Sequence, residues 1–183
     1  MQKLIFLFGI MGMLSFPSFS QNTFTLSSES IGGQGTLVQE FNSFGCAGEN
    51  RSPQLTWSNA PKGTQSYAIT MYDPDAPTGS GWWLWLVFDI PTDVNELLEN
   101  AGDPDENLMA EGVIQSLTDY GFAGFGGPCP PKGDGAHQYI ITIHALKVKS
   151  LGLKAESNAA VVGYYLSLNT IEKASIVMYY GRD

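Results

Sequence analysis

Basic side chains are scarce in this sequence. Nine lysines and arginines stand against 18 aspartates and glutamates over 183 residues, a formal net charge of −9. A nucleic acid demands a basic surface for its phosphates, and an anionic membrane demands a polybasic patch. The charge balance excludes both as electrostatic partners. Charge of either sign is thin, at 15% of residues, while 43% are hydrophobic, a composition that builds a core and argues against disorder. There are only two cysteines and two histidines, and they do not show zinc spacing. No Gly-x-Ser-x-Gly elbow, no phosphate loop ending in lysine and no His-Glu-x-x-His helix occurs. No metal, cofactor or catalytic set is implied, and the expectation is a protein that is not an enzyme.

Long apolar runs are missing too, with one exception at the start. Lys3 precedes 11 residues without a polar side chain, Leu4 to Leu14, and small residues follow at Ser18 and Ser20. That order of charge, apolar stretch and small residues reads as a secretory signal over residues 1–20. Eleven residues fall short of the roughly 20 that a membrane-spanning helix needs. The expectation is an exported protein, periplasmic or secreted, with residues 21–183 as a single domain and no stable membrane insertion. In an oxidising compartment two cysteines most simply pair, here Cys46 with Cys129, 83 positions apart. Closing a loop of that length is worth roughly 4–5 kcal/mol in chain entropy.

Glycine and proline are plentiful, at 21 and 10, and aromatics reach 12%. This suits a loop-rich β fold. Strands are predicted at Thr23–Leu26, Gln54–Trp57, Ser66–Tyr72, Trp82–Ile90 and Gln138–Leu146, with a last one through Ala174, Ile176, Met178 and Tyr180. Trp82–Ile90 is apolar on both faces and reads as a buried central strand. One or two helical turns are expected at Val94–Glu99 and a polar loop at Gly102–Asn107. A helix capped by Ser157 runs to about Leu168, with Asn169 as its stop and Gly163 inside it. The fold class that follows is mainly β: an antiparallel sandwich with a helix packed outside.

Three groups of residues carry possible chemistry. Asp73-Pro74-Asp75 closes a strand, and its two carboxylates suit an acid–base pair, a metal site, acceptors that orient a donor, or a simple turn cap. Gly124 to Pro131 is a rigid loop that either offers backbone N–H groups to an anion or forms a structural corner. His137 starts a strand beside that loop, where it serves as a phosphate ligand, a base or a hydrogen-bonded edge residue. Cys129 with His137 would make a thiol nucleophile and base, unless the disulfide removes the thiol. His144 falls on the strand face opposite Tyr139 and reads as structural.

Six motifs stand in order: Ser52-Pro53-Gln54-Leu55-Thr56-Trp57, Asp73-Pro74-Asp75-Ala76-Pro77-Thr78-Gly79, Gly81-Trp82-Trp83, Gly127-Pro128-Cys129-Pro130-Pro131, His137-x-Tyr139 and Tyr180-Gly181-Arg182. Together they resemble the phosphatidylethanolamine-binding protein family, most closely its bacterial branch, often labelled Raf-kinase-inhibitor-like, over about residues 23–182. The resemblance implies a β-sandwich of two antiparallel sheets with a C-terminal helix and short peripheral helices. It also implies a small pocket for a phosphate-like anion or a phosphorylated small molecule. Its lining would be Asp73, Asp75, Leu84, Cys129, Pro130, Pro131, His137 and Tyr139. Two positions depart from the pattern. Leu84 stands where bacterial relatives have the second pocket histidine, and Gln138 where the His-Arg-Tyr motif has arginine. Both predict an anion pocket that is weakened or altered. Two further readings go with them: a protein-interaction or inhibitor module, or a homodimer, with a vestigial pocket, favoured by Leu84; and a sugar-binding sandwich stacking on Trp82, Trp83 and Trp85.

Overall fold

The computed structural model describes residues 22–183; the predicted signal segment lies outside the described residues. Strands β1 (Thr25–Ser27), β2 (Leu55–Ser58) and β5 (Glu96–Leu97) form one sheet in the order β1-β2-β5. Strands β3 (Ser66–Asp73), β4 (Trp82–Ile90), β6 (Ile114–Gln115), β7 (His137–Leu146) and β8 (Thr170–Tyr180) form a second, in the order β6-β4-β3-β7-β8. Every pairing between these strands is antiparallel. The sandwich and its single long helix, α1 (Ala159–Asn169), are the predicted architecture.

Side-chain alternation sorts the large sheet into two faces. Ile69, Met71, Trp85, Ile141 and Ile143 point towards the small sheet and meet its Phe24, Leu26, Leu55 and Trp57. Ala68, Leu86, Phe88 and Leu146 point the other way and are covered by Val162 and Leu166 of α1. Burial from both sides explains why β3 and β4 are nearly continuous apolar runs. Within the sheet order β3, not β4, is the middle strand, because β4 meets only the two-residue β6 on its far side.

Three local expectations are corrected. The turns predicted at Val94–Glu99 contain β5, whose Leu97 and Glu96 pair with Leu55 and Thr56 of β2. The polar stretch Gly102–Asn107 contains a 3-10 turn, Pro104–Glu106, capped by Asp103. The cap of α1 is Asn158, whose side chain accepts from Val161 N at 3.0 Å, while Ser157 Oγ accepts from Lys154 N. Asn169 is the last helical residue, and the chain enters β8 at Thr170 without a loop.

The tryptophans do not share one surface. Trp85 is fully buried and donates from Nε1 to Gln115 Oε1 at 2.7 Å. Trp83 packs against the outer cluster, and Trp82 faces the inner one. A sugar-stacking platform of the three is therefore not formed. Among the described residues no helix is long and apolar enough to cross a membrane.

Candidate functional site

The end of β3, the start of β4, the start of β7 and the Gly/Pro-rich loop before β7 converge on one cavity of about 260 Å³. Asp73 is the last residue of β3 and is 4% exposed. Its Oδ1 accepts from Asp75 N at 2.8 Å and from Ala76 N at 3.1 Å, so the turn locks the carboxylate. Its Oδ2 lies 2.9 Å from Nδ1 of His137, itself 4% exposed. Asp73 thus serves both as turn cap and as the acceptor that orients an imidazole.

The second ring nitrogen is also engaged. Asp134 Oδ2 lies 3.3 Å from His137 Nε2. Burial alone pulls the imidazole pKa down, but the Asp73 and Asp134 carboxylates outweigh it and the net displacement is upward. Asp134 precedes β7 in the segment Gly133-Asp134-Gly135, and nothing in its sequence context distinguished it from a loop aspartate.

The other predicted residues divide. Leu84, Cys129, Pro130, Pro131 and Tyr139 line the same cavity as Asp73 and His137. Asp75 does not; its Oδ2 accepts from Gln138 N at 2.9 Å and fastens the start of β7 to the Asp-Pro-Asp turn. Cys129 is joined to Cys46 with a Cα–Cα separation of 5.9 Å, and no free cysteine remains among the described residues. The thiol-nucleophile alternative is thereby removed. Gly127 lets this loop approach closely: a Cβ there would collide with the Gln39 carbonyl oxygen.

Lining residues not assigned to the pocket from the sequence include Phe44 and Tyr120, outside the six motifs, and Trp82 and Arg182, which stand within them. Arg182 donates from Nε to Pro130 O and from Nη1 to Gly45 O, both at 2.8 Å. It joins the proline loop to the disulfide loop and sets a cation beside the cavity. Phe44 sits 67% exposed with φ +55°, a strained left-handed backbone at the cavity edge. Tyr120 stacks on Phe41 at 4.2 Å, and burial pushes its hydroxyl pKa up.

Two donors on residues that line this cavity make no hydrogen bond of full geometry among the described residues, although the Asp73 carboxylate lies near the Tyr139 hydroxyl. The Tyr139 hydroxyl and the Trp82 indole N–H are buried and unpaired. Burial, then the Asp73 charge, drives the Tyr139 pKa far up, so the hydroxyl keeps its proton and remains a donor. A buried unpaired donor costs about 1–3 kcal/mol. Two around one cavity, with an imidazole and a guanidinium, suit a ligand that supplies acceptor oxygens.

Comparison with known proteins places this geometry. The profile of the family described as phosphatidylethanolamine-binding protein matches residues 27–181. The chain is 46% identical over 172 residues to UPF0098 protein YbcL of Escherichia coli strain K12, covering 92% of this chain and 94% of that one. It is 43% identical over 136 residues to UPF0098 protein YbhB of the same organism, covering 74% and 85% respectively. The crystal structure of Escherichia coli YbcL, described as a new member of the mammalian family, superposes with a TM-score of 0.85 at 47% identity, covering 87% of this chain and 99% of that one.

Proposed function

From the premise that the chain belongs to the phosphatidylethanolamine-binding protein family, we propose that its cavity takes a small phosphorylated or polar molecule, with affinity lowered by Leu84. It is a binding protein and not an enzyme. The carrying observation is that Tyr139 and Trp82, whose buried OH and Nε1 lack a well-formed hydrogen bond, line one cavity with His137 and Arg182. A ligand oxygen satisfies donors that the fold leaves unpaired. His137 joins them only when Asp134 yields Nε2, an exchange of one carboxylate for another anion. The side chain of Asp134 is 47% exposed, so it leaves for water at little cost. The motifs support the Raf-kinase-inhibitor-like bacterial branch, and the disulfide supports export into an oxidising compartment.

Leu84 is 1% exposed and contributes no hydrogen bond to the cavity. A charged hydrogen bond is worth about 1.5–3 kcal/mol, so Leu84→His is expected to raise affinity roughly 10- to 100-fold. Calorimetric titration with phosphate and phosphoethanolamine tests both the reading and the residue. Binding by wild type that falls in Tyr139→Phe and His137→Ala supports the pocket. Silence in wild type with binding in Leu84→His moves the reading to a protein-interaction module with a vestigial pocket.

A further inference from the structure

Gly163 lies inside α1, where glycine weakens a helix relative to alanine. Nothing in the fold demands it. Its φ is not in the left-handed region, and a Cβ built there meets no atom within 4 Å. What the missing side chain leaves open is a cleft of about 320 Å³ between α1 and the outer face of the large sheet. This is the face opposite Tyr139 and the first cavity. Thr70 of β3 and His144 of β7 form the floor, and Gly163 and Leu166 the helical side. Trp83 of β4 and Lys173 of β8 stand on the two flanks, since β4 and β8 border the β3–β7 pair.

The polar groups are arranged unevenly. Thr170 Oγ1 donates to Leu166 O at 2.7 Å and so accepts from His144 Nδ1 at 3.2 Å, which leaves Nε2 as an acceptor 3.5 Å from the Thr70 hydroxyl. Burial, then the Lys173 charge, holds the imidazole pKa down to about 4, so it is neutral at pH 7. Lys173 makes no ion pair among the described residues. The cleft therefore combines an indole and a leucine with a neutral imidazole and one uncompensated cation. Its volume is at the small end of ligand sites.

We propose that this cleft is a second binding site, for a small carboxylate with an apolar or aromatic body. The body lies against Trp83, Leu166 and the ring of His144, and the carboxylate meets Lys173. Gly163 is the residue that keeps the space.

Benzoate is the probe, followed by NMR of the histidine ring and tryptophan indole signals. Saturable shifts at His144 and Trp83, with His137 unmoved, are expected. Lys173→Gln should weaken them roughly tenfold, the loss of one charged contact. Gly163→Leu should abolish them, and Gly163→Ala should raise the melting temperature while weakening benzoate. Absence of saturation at His144, or equal affinity in wild type, Lys173→Gln and Gly163→Ala, overturns the proposal. So does a fall in melting temperature in Gly163→Ala, because the glycine would then serve the fold. These signals are separate from the phosphoethanolamine titration, so either site can fail alone.

Discussion

The two histidines answer acid in opposite senses. His137 is held between two carboxylates and its pKa is raised. The stability it adds is fully present below its ordinary value of about 6.5 and is lost as pH rises through the folded value. His144 is held down to about 4 by burial and Lys173. Its unfolded form takes a proton that the folded form refuses, so stability falls between about pH 6.5 and 4, by roughly 3 kcal/mol in full. His144→Gln is therefore expected to flatten the acid limb of a melting-temperature profile below pH 6.5. His137→Gln is expected to remove a loss of stability at higher pH. Melting curves from pH 4 to 9 check both. At this scale the site was partly legible. Asp73, His137, Tyr139 and Arg182 stand in motifs, but Asp134 does not, the place of Arg182 beside the proline loop is set only by loop folding, and Asp75 turns to a backbone N–H instead of the cavity.

At the scale of elements, periodicity located the long strands because two-sided burial leaves long apolar runs. It failed where pairing alone defines the element. Glu96–Leu97 is too short to carry a period and is a strand because Leu97 and Glu96 lie opposite Leu55 and Thr56. The cap of α1 was one residue out, since Ser157 and Asn158 are both good caps and only geometry chooses. Asn158→Ala is expected to lower stability by about 1 kcal/mol, with Ser157→Ala costing clearly less. Urea denaturation of the two variants separates them, and equal losses would contradict the assignment.

Across the whole molecule, the Cys46–Cys129 disulfide joins two loops that also meet through Arg182. Cys129 lines the cavity, so this link is shared by stability and site. Replacing both cysteines by serine is expected to cost about 2–5 kcal/mol. It should also weaken any ligand in the cavity, because the loop carrying Pro130 and Pro131 loses its anchor. Chemical denaturation and the phosphoethanolamine titration on the same variant measure the two effects.

By itself the sequence determined the β-sandwich class, the outer helix, the long strands, the pairing of two cysteines and the motif residues that resemble a binding family. These follow from local period, composition and order along the chain, which are properties of neighbours in sequence. Tertiary structure decided what depends on neighbours in space. It set Asp134 on the second nitrogen of His137, left Tyr139 and Trp82 unpaired in one cavity, brought Arg182 across from the C-terminal end, and opened a cleft beneath Gly163. Hydrogen-bond satisfaction and cavity shape arise only when segments far apart in the chain pack together, and no single segment encodes them.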